Sequence, residues 1–240
     1  MPEDSAIQDI LYDTFDYPAH RETGSAAQAL RWVEHSALPE PDKAALRAFV
    51  GRFPGLTFYR DDETLLAHLE RRNAVTLPPS LREIRRTLSG LGPDAHVRFD
   101  DFDDWRSPRA DHTDDDGYLD LWYEDRFAGY LQDEDRDLLM TGAACFPILS
   151  ATTGVEYLLA ADLRDSAGGR VVDVCDEDIM DNLYDGKPGT DSVYLAFESY
   201  ARMLSHVIEC RTNDGTLIRA VGPHAARPVP VRQAGDHPAP

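Results

Sequence analysis

The sequence predicts an α+β fold in which N-terminal helices pack on a mostly antiparallel sheet and a long helix lies near the C-terminus. Three observations support this class. Apolar residues recur at helical spacing before residue 90, segments rich in Val, Leu and Tyr follow, and the clearest amphipathic pattern comes last. Strands that are segregated from helices favour α+β over the alternating βαβ order of a nucleotide-binding sheet.

The first ninety residues are dominated by helical patterns. Residues 1–24 are polar with scattered aromatics and are expected to form an arm. The helices are predicted within 25–36, after a cap at Asp42, within 63–72, and from Pro79 to Leu88, with a short strand at Leu56–Tyr59. Gly90 and Gly92 are expected to terminate the last of these helices.

The middle of the chain is predicted to form the sheet. Its strands are expected at Tyr118–Tyr123, Phe127–Leu131, Cys145–Leu149, Glu156–Leu163, Arg170–Cys175 and Thr216–Val221. The run Asp165–Gly169 is typical of a hairpin turn. Leu195–Cys210 shows the apolar stripe of the predicted long helix.

The chain is divided into three predicted parts. Residues 1–55 are an N-terminal helical extension, 56–221 an α+β domain, and 222–240, with five prolines, a disordered Pro-rich tail. No apolar run is long enough for a membrane span, and the acidic start is unlike a secretory signal. Three widely spaced cysteines do not make a disulfide framework, so we expect a cytoplasmic protein.

Net charge limits the classes of partner. With 44 acidic and 24 basic residues the chain carries −20, which disfavours nucleic acid and favours a basic protein partner. Most of this charge lies in two stretches. Residues 100–137 hold 15 acids and 4 bases, and residues 173–191 hold 7 acids and 1 base. Acidic runs also occur as solvated loops, and that interpretation stays open.

The predicted partner-binding residues lie in the first acidic stretch, where acids are interleaved with aromatics. Asp100, Asp101, Asp103 and Asp104 would contact the basic partner, Asp114, Asp115 and Asp116 would steer its approach, and Trp105 would be the desolvated anchor. Trp is enriched among residues that dominate binding energy, so Trp105 ranks above any single carboxylate.

The sequence lacks the common motifs for catalysis and cofactor binding. The chain has no P-loop, no G-x-S-x-G elbow, no H-E-x-x-H and no C-x-x-C. The run 111–117 superficially resembles a calcium loop, but His112 and Tyr123 stand at its first and twelfth ligand positions. We therefore predict no cofactor, no metal and no catalytic residue.

Four segments resemble the SMI1/KNR4 (SUKH) family. Leu77–Ile84 (LPPSLREI) is similar to the opening of the family's first helix, and Phe146–Leu149 (FPIL) resembles its central strand. Glu156 through Val172 looks like its paired strands, and Leu195–Leu204 (LAFESYARML) resembles its closing helix. The resemblance covers roughly residues 60 to 210 in the order of the elements.

The resemblance implies a non-catalytic α+β domain. Many bacterial members are immunity proteins that neutralise a cognate toxin, often a nuclease, and fungal members are interaction hubs. Our leading hypothesis is an immunity protein that neutralises a basic, nuclease-like toxin through an acidic surface. A regulatory scaffold is one alternative, and a hydrolase that uses a metal held by carboxylates within Asp111–Asp120 is another. The oligomeric state stays open.

Overall fold

The structure of the 240-residue chain is a computed structural model. It describes residues 15–72, 75–91, 96–99, 118–121, 145–151, 157–165, 169–175, 181–182, 184–187, 193–211, 217–221 and 232–233. The predicted strand Phe127–Leu131 lies outside these ranges.

The described residues combine helices with antiparallel sheets, which confirms the predicted α+β class. The helices are α1 (Ala26–His35), α2 (Glu40–Arg52), α3 (Glu63–Arg72), α4 (Pro79–Thr87) and α5 (Tyr200–Ser205), preceded by a 3-10 turn at Tyr17–His20. The strands are β1 (Arg21–Ser25), β2 (Thr57–Asp61), β3 (Gly90–Leu91), β4 (His96–Phe99), β5 (Tyr118–Leu121), β6 (Cys145–Ala151), β7 (Tyr157–Asp162), β8 (Val171–Cys175), β9 (Val193–Phe197), β10 (Val207–Arg211), β11 (Leu217–Arg219) and β12 (Arg232–Gln233).

Local sequence explains where the first two helices begin. Ser25 and Gln28 form a reciprocal capping box that satisfies free N–H groups at the start of α1. The predicted cap at Asp42 is wrong, because α2 already begins at Glu40, after Pro39. Asp42 lies instead in the first turn of α2, where its carboxylate accepts a hydrogen bond of 2.7 Å from the Ser199 hydroxyl.

A small antiparallel sheet joins the N-terminal segment to the helices, in the order β1-β2-β3. The predicted helix stop at Gly90 is part of this sheet, since Gly90 pairs with Tyr59.

Phe49, Phe53 and Phe58 are fully buried and meet edge to face, and each such burial contributes about 1.5–3 kcal/mol. The contact between Phe49 and Phe58 therefore joins the predicted N-terminal extension to the predicted α+β domain. The domain boundary at residue 55 stays a prediction.

Within the described residues, the larger sheet has nine antiparallel strands in the order β11-β10-β4-β5-β6-β7-β8-β9-β12. Strands β5 to β9 follow one another as sequence neighbours, whereas β10 returns to pair with β4. The predicted edge strand near Thr216–Val221 is confirmed as β11. Arg232–Gln233, within the predicted tail, pair with Leu195 and Tyr194 of β9.

The larger sheet is strongly curled. β9 and β10 are six strand positions apart, which corresponds to about 29 Å in a flat sheet. Yet the rings of Phe197, the last residue of β9, and His206, which immediately precedes β10, are only 5.2 Å apart. The sheet must therefore bend so that the end of β9 approaches the start of β10, with α5 between them.

The predicted long helix over Leu195–Cys210 is wrong. Its first residues belong to β9, only Tyr200–Ser205 are α-helical, and its last residues belong to β10. Ser199 interrupts the pattern by capping α5, because its hydroxyl accepts the Arg202 N–H. β9, α5 and β10 each bury apolar side chains, and together these side chains have the same spacing in sequence as the apolar face of one amphipathic helix.

Among the described residues, no helix combines the length and the apolar character that crossing a membrane would require.

Candidate functional site

Strand directions define two ends of the nine-stranded sheet. β4 ends at Phe99, and the first residue of β5, Tyr118, pairs with Arg98 beside it, so segment 100–117 leaves and re-enters the sheet at one end. Because neighbouring strands alternate in direction, segment 152–156 between β6 and β7 and segment 176–192 between β8 and β9 are attached at this same end. We call it the acidic end.

The charges of these connections differ between the two ends. At the acidic end, 100–117, 152–156 and 176–192 together carry 15 acids and 3 bases, a net charge of −12. At the opposite end, 122–144, 163–170 and 212–216 together carry 8 acids and 4 bases, a net charge of −4. The counted connections at the acidic end therefore carry three times the net negative charge of those at the opposite end.

The two strongly acidic connections are attached close together. The β4–β5 and β8–β9 junctions lie four strand positions apart, about 19 Å along the sheet. All eight predicted partner-binding residues belong to 100–117 and lie outside the described residues: Asp100, Asp101, Asp103, Asp104, Trp105, Asp114, Asp115 and Asp116.

The second acidic connection is partly described and contains an exposed aromatic residue that the sequence analysis missed. Tyr184 is 77% exposed, and Asp181 and Asp185 beside it are exposed as well. The Lys187 ammonium donates a hydrogen bond of 2.8 Å to Asp185, which lowers the pKa of that carboxyl and raises the pKa of Lys187. Trp105 is singled out because it is an aromatic residue inside an acidic run, and the same criterion applied to residues 173–191 selects Tyr184.

A buried carboxylate organises the smaller sheet. Asp61, at the end of β2, accepts hydrogen bonds from Arg21 Nε at 3.3 Å, Arg85 Nε at 2.8 Å and the Ser89 hydroxyl at 2.9 Å. The Tyr200 hydroxyl donates to the Ser89 carbonyl oxygen at 2.8 Å, which links this cluster to α5. The Asp61 oxygens are occupied by fixed donors and have no exposed side-chain surface, so the cluster is structural.

A second buried carboxylate braces the hairpin at the opposite end. Asp162 accepts from Arg164 Nε at 2.9 Å and from Arg170 Nη2 at 3.0 Å, and Arg170 also pairs with Asp165. Gly169 in the same hairpin has φ +62°, and a Cβ there would lie 2.6 Å from the Ser80 hydroxyl of α4. The hairpin is thus packed tightly against a helix.

Stacked rings attach the first described residues to α3. Phe15 stacks on His68 at 3.9 Å between centroids, and the Tyr17 hydroxyl accepts a hydrogen bond from Arg72 at 2.6 Å. His20 pairs with Asp62 at 2.9 Å. Burial alone would raise the pKa of Asp62, but the Leu65 N–H and His20 outweigh it, so the pKa is lowered.

Two features of the described residues bear on catalysis, the grouping of metal-holding side chains and the reactivity of a cysteine. No three His, Cys, Asp or Glu side chains in those ranges are grouped to hold a metal ion. Cys210 is a buried free thiol, and burial raises its pKa to about 12, so it is a poor nucleophile. The acidic end is taken as the candidate site on the basis of its charge and strand order.

No family model, curated protein or solved structure matches this chain.

Proposed function

We propose that this protein is a non-catalytic binding module that captures a basic protein at its acidic end. The observation that carries the proposal is the attachment of segments 100–117 and 176–192 at one end of the sheet, about 19 Å apart. A standard interface covers about 800 Å² per partner, or about 28 Å across, so one partner can face both segments.

The most concrete form of the proposal is a toxin-neutralising immunity protein of the SMI1/KNR4 type. A nuclease active site is basic because it holds phosphates, and an acidic surface can occupy it in place of the nucleic acid. In this assignment Trp105 is the desolvated anchor, Asp100, Asp101, Asp103 and Asp104 contact the basic cleft, and Asp114–Asp116 accelerate the approach.

Affinity capture with the full chain, followed by association kinetics, tests the proposal. A basic protein should be retained at low salt and depleted at high salt. The combined change of Asp100, Asp101, Asp103 and Asp104 to Asn should then lower its association rate constant and flatten its salt dependence.

The size of the effect follows from screened Coulomb interactions. At about 10 Å in 0.15 M salt, one pair of charges contributes about 0.1 kcal/mol. Four carboxylates facing four partner cations make about sixteen pairs and about 2 kcal/mol, which predicts an association rate constant about thirtyfold lower.

The opposite end of the sheet offers a matched control. Changing Asp133, Glu134, Asp135 and Asp137 to their amides alters the net charge by the same +4 within 122–144. This variant should associate within about threefold of the wild-type rate, since distant charges are screened. Equal losses in both variants would show that only total charge matters, and capture that is insensitive to salt would favour the scaffold alternative.

A further inference from the structure

The outer edge of β9 is occupied by a short strand from this chain's own tail. Arg232 pairs with Leu195 and Gln233 with Tyr194, and the described structure extends β12 no further than these two residues. β9 itself has five residues, and two of them, Tyr194 and Leu195, are paired with the described residues of β12. Two paired residues form too short a strand to be stable without support from the rest of the fold.

The composition of the tail opposes a longer pairing. Pro228 and Pro230 have no backbone N–H to donate, and extension of the register by two residues would set Pro230 level with Phe197. Edge strands pair readily with added strands unless they are blocked, and here the two described residues of β12 are preceded by two prolines that weaken any longer pairing.

The edge of β9 lies beside the acidic end. β9 begins at Val193, directly after the acidic segment 176–192, whereas the tail segment 222–240 carries two arginines and one acid. Two residues of this slightly basic segment, Arg232 and Gln233, are therefore paired as a strand near the end of the sheet where the acidic segment 176–192 is attached. A basic, extended segment of another protein would present the same backbone groups and the same charge.

We propose that β9 is a strand-addition edge, that β12 occupies it reversibly, and that an extended basic segment of the captured protein replaces β12 as an antiparallel strand. This inference deepens the proposed function and rests on it for the identity of the partner. Residues 222–240 then act as a competitor within the chain, so partner binding strengthens when β12 is released.

Full-length variants test the release of β12. The double change Arg232→Pro and Gln233→Pro removes both β12 amides, and His237→Pro with Ala239→Pro adds two prolines outside β12 as a matched control. Hydrogen exchange of the outward-facing amides within Val193–Phe197 should accelerate in the first variant only. Equal exchange in both variants would overturn the assignment of β12 as a releasable strand.

A synthetic peptide of residues 224–236 serves as the probe for the edge itself. It should bind the R232P/Q233P variant with a Kd about tenfold or more below its Kd for wild type, since the tail no longer competes. A peptide with Arg227→Glu and Arg232→Glu should bind about tenfold more weakly than the unmodified peptide. Absence of peptide binding, or equal binding to variant and wild type, would overturn strand addition.

The proposed function can fail independently, because the peptide assay uses no captured protein. Saturable peptide binding without any salt-sensitive capture would contradict only the proposed function. Salt-sensitive capture that is unchanged by R232P/Q233P would contradict only the strand-addition edge.

Discussion

Replacement of Asp61 by Asn should destabilise the whole fold, because this carboxylate neutralises two arginines inside the smaller sheet. The side chains of Arg21 and Arg85 are only 11% exposed, and Asp61 has no exposed side-chain surface. An amide of the same shape preserves packing but removes the negative charge. The two guanidinium groups would then repel each other with little water to screen them.

The magnitude follows from the burial of the three groups. Breaking a buried ion pair costs about 3–5 kcal/mol, and the lower figure applies because the Arg21 guanidinium also lies 5.2 Å from the Tyr59 ring centroid. We expect Asp61→Asn to lower the free energy of unfolding by about 3 kcal/mol and Tm by roughly 6–12 °C.

Chemical denaturation followed by circular dichroism measures this change directly. Asp181→Asn is the matched control, since Asp181 is exposed, and it should change the free energy of unfolding by less than about 0.5 kcal/mol. A loss below about 1 kcal/mol for Asp61→Asn would refute the reasoning that the carboxylate holds the two arginines in place.

Three further predictions concern the hairpin, the buried thiol and the N-terminal contact. Gly169→Ala should lower Tm more than Gly186→Ala, since both residues have positive φ but only a Cβ at Gly169 meets Ser80; equal losses in a thermal scan would contradict this packing. In residue-resolved alkylation at about pH 8, Cys210 should react only after unfolding, and rapid native labelling would exclude its burial. The pKa of Asp62 is lowered from 3.8 in the folded chain, so its ionised carboxylate contributes stability above pH 3.8 that is lost as pH falls through the lowered pKa. Asp62→Asn should therefore make the free energy of unfolding fall less steeply with decreasing pH below about 4. An unchanged dependence on pH would contradict the lowered pKa.

The helices and hairpins could be predicted because their signals are local. The apolar side of α3, the opening of α4 at Pro79 and the turn between β7 and β8 each depend on residues close together in the chain. Local signals also caused the main error. Leu195–Cys210 satisfies helical spacing, although its ends pair with β8 and β4, far away in sequence.

The candidate site could be predicted only in composition. The two acidic runs are visible in the sequence, but their attachment at one end depends on the strand order from β4 to β9. The Asp61 cluster is equally hidden, because Arg21, Arg85 and Ser89 reach it from segments 24 to 40 residues away. Strand pairing of this range has no signature in local periodicity.

The most direct test of capture at the acidic end is the association rate constant of the full chain with its captured basic protein, measured from about 10 mM to 500 mM NaCl. We expect a steep fall with salt, and a shallower fall when Asp100, Asp101, Asp103 and Asp104 are changed to Asn. A rate constant that stays flat across this range would contradict capture through the acidic end.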